Sequence, residues 1–305
     1  FASSSRRLGI HVRTAPGLLE AVVHARAVGC TTLQIMSGNP SAWAPGHLDL
    51  ELADRFGREC RAAGLKPVYL HAGYLINLSC RKGVNAAIYR KSIQLLQVSI
   101  DRAAALGCEY VVVHLGSRRG TSPDEALAVL VEAICRLMLP PDEPGASRLP
   151  ACDPEGGRGP VLLLENSAGA GDQVGADIGE LALVLKAARA GGVSMPLGIC
   201  LDTAHLWGAG YDLGSAAAAG SFVNDFERPV GWEQVHLVHF NDAAAKLGSR
   251  KDRHEHPGRG LIPLEGLKAF IRHPLLRKIP MIMETPGKTD PADEQRMKDL
   301  RELAG

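Results

Sequence analysis

Short apolar runs alternate along the chain with longer stretches whose apolar residues recur every three or four positions. Strands are predicted over Leu8–Val12, Thr31–Met36, Pro67–Ala72, Tyr110–Gly116, Val161–Asn166, Leu197–Asp202, Val235–Asp242 and Pro280–Thr285. Most of these are continuous apolar runs rather than alternating ones, as expected for parallel strands covered on both faces. Between them the period becomes helical. Ile93, Leu96, Ile100, Ala103 and Ala104 share one predicted face, and Leu127, Leu130, Val131, Ile134 and Met138 share another. The second helix carries a start signal: Ser122 can cap it, Pro123 suits its first position, and Glu125 would complete a capping box. Gly29, Gly64 and Gly107 each follow a helical stretch and precede a strand, where a C-terminal cap belongs.

Eight strand–helix units in 305 residues predict an α/β fold, a single (β/α)8 TIM barrel spanning residues 1–305. One stretch breaks the alternation. Residues 139–160 hold six prolines and four glycines, which neither a strand nor a helix tolerates. Because the alternation resumes at Val161, this reads as an insertion in the loop leading into the fifth strand. Such loops lie at the bottom of a barrel, away from the chemistry.

Composition narrows the class. Hydrophobic residues make up 46% and charged residues 22%, with no run of eighteen apolar positions, so a full core and no membrane span are expected. Lys+Arg of 34 against Asp+Glu of 33 leave a net charge of +1, which excludes a broadly basic nucleic-acid coat. Seven scattered cysteines without a CxxC pair point to a reducing, intracellular setting rather than a disulfide framework. Beginning at Phe1, the chain reads as a fragment or a processed product.

The chemistry lies where the strands stop. The third predicted strand ends at His71, the fourth at His114, the fifth at Glu165 and Asn166. The sixth runs into Asp202 and His205, the seventh ends in His239-Phe240-Asn241-Asp242, and the eighth ends at Glu284; the loop after the seventh adds Asp252-Arg253-His254. The C-terminal ends of barrel strands form the active-site face. Any one such residue would be unremarkable as a structural hydrogen-bonding group. Nine imidazoles and carboxylates converging in a half-buried mouth are too costly to leave unneutralised. Divalent metal is the economical partner, and a nitrogen and oxygen donor set without thiolate suits zinc best, then manganese. Nine donors suffice for three ions, counting a bridging carboxylate and water. Three divalent ions against four carboxylates would leave a net +2, an anion trap in a nearly neutral protein.

These residues carry a family resemblance over nearly the whole chain. The stretches His71-Ala72-Gly73-Tyr74-Leu75-Ile76-Asn77-Leu78, Glu165-Asn166-Ser167-Ala168-Gly169, Leu201-Asp202-Thr203-Ala204-His205 and Gly248-Ser249-Arg250-Lys251-Asp252-Arg253-His254 resemble endonuclease IV, the zinc-dependent apurinic/apyrimidinic endonuclease family of base-excision repair. The resemblance implies that His71, His114 and Glu165 hold a first zinc. Glu165 would bridge to a second, bound also by Asp202, His239 and Glu284. His205, Asp252 and His254 would hold a third, with manganese an option at one site. It implies hydrolysis 5′ to abasic sites in double-stranded DNA by a monomer, with Glu165 as the catalytic bridging carboxylate. The compartment would be one that contains DNA: nucleus or mitochondrion in a eukaryote, cytoplasm in a bacterium. Tyr74, Leu75, Arg250 and Arg253 are the candidate DNA contacts, and the pairs Arg118-Arg119 and Arg250-Lys251, with Arg259, form local basic clusters.

Two positions depart from the family pattern. Ser41 stands in Asn39-Pro40-Ser41-Ala42-Trp43 where a long polar or basic residue is usual, and Arg259 stands where an acid is common. Two other readings compete. A xylose-isomerase-like sugar isomerase or epimerase would share Glu165, Asp202, His239 and Glu284, but would not need His71, His114 and the Asp252-Arg253-His254 loop together. A DNA-binding module without catalysis would not need the ligand set at all. His11 and His236 read as structural, His236 on the face of its strand opposite His239.

Overall fold

The computed structural model describes residues 6–36, 38–44, 46–83, 85–137, 159–193, 195–284 and 290–305. In chain order its strands are β1 (Leu8–Ile10), β2 (Leu33–Met36), β3 (Val68–His71), β4 (Tyr110–His114), β5 (Val161–Glu165), β6 (Leu197–Asp202), β7 (Val235–His239), β8 (Asp242–Ala243), β9 (His254–Glu255) and β10 (Met281–Met283). The helices are α1 (Leu18–Ala27), α2 (Leu50–Ala62), α3 (Asn85–Leu106), α4 (Pro123–Arg136), α5 (Ile178–Ala190), α6 (Thr203–Ala209), α7 (Ala216–Glu227), α8 (Leu264–Arg272) and α9 (Asp290–Ala304). Eight strands pair in parallel in the order β1-β10-β7-β6-β5-β4-β3-β2, with helices between them. This is the TIM barrel that the alternation predicts. Its ring is nearly closed: β1 and β2 meet through one isolated bridge, His11 to Gln34, and the Val12 N–H donates to the Gln34 carbonyl at 2.8 Å. Among the described residues no helix is long and apolar enough to cross a membrane. The Pro/Gly-rich stretch 139–160 lies outside the described residues up to 158, as do Met138 and Thr285.

The barrel interior explains how the site is placed. Tyr69, Val112, Leu163, Cys200, Leu237 and Ile282, one from each of six strands, pack into an enclosed apolar cluster. A strand's side chains alternate, so the residue two positions on points the same way. Those residues are His71, His114, Glu165, Asp202, His239 and Glu284. Each strand thus places one buried apolar plug beneath one polar group, and the plugs form a dry floor.

The helix ends follow local rules. Gly29, Gly64 and Gly107 take positive φ of 78°, 71° and 70°, which only glycine adopts without strain. Ser122 caps α4 by accepting from the Glu125 N–H at 3.3 Å. Glu125 itself turns outward instead of completing the expected box, its Oε2 lying 2.6 Å from Lys82 Nζ. The buried face of α4 is Ala126, Val129, Leu130, Ala133 and Ile134, turned about one residue from the predicted stripe. Small alanines allow the helix close to the sheet, so Leu127 flanks the contact rather than centring it.

His236 corrects the strand-parity argument. Between β6 and β7 the register steps from Val235 opposite Ile199 to Leu237 opposite Cys200, a bulge that leaves His236 as the extra residue. Its ring stacks on Tyr110 at 5.5 Å, inside the lower barrel, where a Cβ on Gly198 would lie 2.3 Å from His236 Cδ2. The residue packs, as expected, but on the inner side.

Candidate metal centre

Six polar groups stand on the floor, and two local devices supply the remaining three. The first is the start of α6. Asp202 is its N-cap, and Oδ1 accepts from the His205 N–H at 2.7 Å, which sets His205 one turn along and over the barrel mouth. The second is the β8–β9 hairpin, which the sequence pattern presents only as a strand end and a loop. Ala243 pairs with His254 and Asp242 with Glu255, returning Asp252 and His254 to the mouth.

Asp242 organises that hairpin. The side chain is fully buried and accepts backbone N–H groups from Ala243 (2.7 Å), Gly258, Gly260 and Ile262 (each 2.9 Å). Asn241 Nδ2 donates to Asp202 Oδ2 at 2.6 Å, while its Oδ1 accepts from the Glu284 N–H at 2.8 Å. Asn166 accepts from the Asp202 N–H at 2.6 Å and donates to its carbonyl at 3.2 Å. In the sequence these three residues stand within the motifs but carry no visible role.

All nine candidate ligands meet in one mouth. Glu165, fully buried, lies at its centre: Oε2 is 3.2 Å from His71 Nε2 and 3.5 Å from His114 Nδ1, and Oε1 is 2.8 Å from His239 Nδ1. His239 Nδ1 also lies 3.2 Å from Glu284 Oε2 and 4.0 Å from Asp202 Oδ2. Asp252 approaches His205 Nε2 at 3.3 Å and His254 Nε2 at 3.2 Å. Donor atoms close enough to share an ion fall into the sets His71/His114/Glu165, Glu165/Asp202/His239/Glu284 and Asp202/His205/His254. Asp202 thereby reaches the third set, with Oδ2 3.5 Å from His254 Nε2. Cys200 Sγ lies near Glu165 and His239 too, and its side chain packs into the apolar floor with Leu163 and Leu237.

Three histidines have their tautomer set by a backbone carbonyl. Nδ1 of His71 faces the Ala72 carbonyl (2.7 Å), that of His205 the Asn166 carbonyl (2.9 Å) and that of His254 the Glu284 carbonyl (3.2 Å). Each Nδ1–H donates there, so each Nε2 turns to the carboxylates with a lone pair. His205 and His254 then face each other through two lone pairs at 3.4 Å, with Asp252 alongside. Such a pair requires a proton or a cation between its members. The donor set suits a divalent metal.

Without a cation, protons do this work. Burial disfavours a charge on His205, but Asp202, Asp252 and Glu165 outweigh it and push the ring up to about 10. Burial likewise opposes the Asp252 charge, which His205 then holds down at about 2. The surrounding histidines, against the cost of burial, hold Glu165 well below the usual carboxylate range. Burial pulls His114 below its ordinary value, whereas His71 and His239, both against Glu165, are raised, His239 well above its own. A metal ion must therefore displace a proton that His205 keeps until the pH nears 10. Affinity of metal-free protein for a divalent ion is expected to rise with pH between 6.5 and 9, by about tenfold per unit for each such proton displaced. Chelator competition across that range tests it, and a flat profile would show His205 to be neutral already at pH 6.5.

The cleft above has a volume of about 780 Å³ and is lined by Trp43, Tyr74, Leu75, Asn77, Ser117 and Gln173 among others. Its cationic lining is Arg13, Arg119 and Arg296, of which only Arg119 belongs to a basic cluster evident in the sequence. Arg250 is exposed beside a neighbouring polar cleft with Arg118 and Tyr211, and Arg253 is exposed at the approach to β9; neither lines the main cleft. Tyr74 is 57% exposed at the lip, its ring edge-on to His71 at 5.7 Å.

A ring of parallel strands carrying carboxylates and histidines at its C-terminal mouth is a TIM barrel with a cluster able to hold metal, and residues 22–304 match the xylose isomerase-like TIM barrel family. Probable endonuclease 4 of Methanoculleus marisnigri is 35% identical over 98% of this chain and 99% of its own length. Its counterpart in Natranaerobius thermophilus is 33% identical over 98% of each. The crystal structure of endonuclease IV from Thermus thermophilus superposes with a TM-score of 0.77 at 34% identity, covering 97% of this chain and 98% of that one. The chain belongs to the endonuclease 4 family.

Proposed function

We propose that this protein is a zinc-dependent DNA-repair endonuclease that hydrolyses the phosphodiester 5′ to abasic sites, leaving a 3′-hydroxyl and a 5′-deoxyribose phosphate. The observation that carries this reading is the convergence of eight donors in three overlapping sets, two of them sharing the buried Glu165, with Asp252 beside the third. His71, His114 and Glu165 would hold one ion. Glu165, Asp202, His239 and Glu284 would hold the second, and His205, Asp252 and His254 the third. Zinc held there would supply a nucleophile at neutral pH and offset charge on the phosphate. Glu165 joins the first two sets by pointing one carboxylate oxygen into each. The apolar floor keeps water out from below, and Arg13, Arg119 and Arg296 face the cleft where phosphates would lie. A sugar isomerase would use the second set alone, and the two further sets favour the nuclease.

Incubating metal-analysed protein with an abasic-site duplex, with and without chelator, tests the reading. Incision on the 5′ side, abolished by chelator and accompanied by about three ions per chain, is expected. Intact duplex after incubation with metal-loaded protein would sink it, and one ion or none would revive the isomerase.

The lip of the cleft carries a separate expectation. Asn39 Oδ1 accepts from the Ser41 N–H at 3.0 Å, and the Pro40 carbonyl accepts from the Tyr74 N–H at 2.9 Å, so the two lip loops are tied together. Ser41 is exposed there and too short to reach a base stack. Tyr74 and Leu75 would then enter the duplex, and Tyr74→Ala is expected to weaken abasic-duplex binding. Ser41→Arg should tighten it by about 1–2 kcal/mol, partly lost at high salt. Titrating both variants against abasic and intact duplexes at two salt concentrations decides; an unchanged Ser41→Arg affinity would leave insertion to Tyr74 and Leu75.

A further inference from the structure

Gln34 lies in the apolar run Leu33-Gln34-Ile35-Met36, fully buried, and every polar atom of its side chain is used. Its Oε1 lies 2.9 Å from His239 Nε2, and its Nε2 lies 2.5 Å from Glu284 Oε1 and 2.9 Å from His11 Nδ1. An amide oxygen can only accept, so His239 keeps a proton on Nε2, and an ion taking the place of the second proton would meet the Nδ1 lone pair facing Glu165, Asp202 and Glu284. The same amide donates to Glu284 and leaves that carboxylate's other oxygen, Oε2, facing His239 Nδ1 at 3.2 Å. His239 is the one buried histidine of the nine-residue set whose tautomer is set by a side chain; His71 and His205 use backbone carbonyls.

We propose that Gln34 is a positioning residue for the ion held by Glu165, Asp202, His239 and Glu284, fixing the donor nitrogen of one ligand and the free oxygen of another. The proposal rests on the metal reading above. It assigns a role to the second strand, which contributes none of the nine ligands. An amide bridging two ligands raises the basicity of the imidazole and removes rotational freedom from both groups.

Zinc titration of stripped protein against a competing chelator tests this, with the number of ions and the affinity of each as readout. Gln34→Met keeps length and bulk and removes both contacts; Gln34→Glu keeps an acceptor for His239 and a polar side chain should the first variant fail to fold. One ion loosened by about 10–100-fold in Gln34→Met, with the others held within about threefold, is expected. Loosening of the same ion in Gln34→Glu, through a like charge against Glu284, would support the same role. Variants that lose thermal stability in the metal-free state yet bind every ion as the parent does would assign Gln34 to packing and overturn the proposal. A parent protein that binds no zinc would instead refute the metal reading itself.

Discussion

Glu165→Gln is expected to lower incision of an abasic-site duplex by about a thousandfold or more, while duplex affinity stays within a few fold. The change keeps the shape of a fully buried side chain and removes the charge that lies between His71, His114 and His239. Glutamine keeps one oxygen, so one of the first two sets would lose its oxygen donor from this residue and both would lose the charge they share, and bound metal should fall as well. The groups lining the cleft, Tyr74 and Arg119 among them, are untouched. Single-turnover incision measured beside equilibrium binding separates the two effects. Near-normal turnover would move the catalytic role to another residue.

Asp242→Ala should cost about 3 kcal/mol or more of stability, because four backbone donors around a fully buried carboxylate lose their acceptor. For a chain of this size that corresponds to a melting temperature lower by roughly 5–10 °C. The variant should also lose the third ion selectively, since Asp242 anchors the hairpin that returns Asp252 and His254. Differential scanning calorimetry with metal analysis would show both. A melting temperature unchanged within about 1 °C would mean that water replaces the carboxylate at all four donors.

The barrel and its candidate ligands are legible in the sequence because both rest on the pleat. Continuous apolar runs fix which segments are strands, and the strand ends at His71, His114, Glu165, Asp202, His239 and Glu284 follow from the same two-residue period that buries Tyr69 and Leu163. Parity fails at His236 because a bulge adds a residue without marking the sequence. The Asp242 hairpin is hidden because its strands are two residues long, too short for any period to show. Gln34 escapes notice for a different reason. One amide in an apolar strand looks like a tolerated exception until the strands that meet above it are known. Its three partners come from positions 11, 239 and 284, and their nearness is a property of the closed ring.

The ring itself is a sheet of eight strands with seven laced joints and one fastening. Each neighbouring pair from β1 round through β10 to β2 shares a ladder, whereas β1 meets β2 through the single bridge at His11 and Gln34. Native proteins open first where the fewest backbone hydrogen bonds must break together. Breathing of this barrel is therefore expected to start at that joint, and the amide of Val12, bonded across it, should exchange with solvent sooner than those deep in β5 or β6. Each such opening would part His11 from Gln34, two of the groups that touch Glu284, so the hoop would come undone at a candidate ligand.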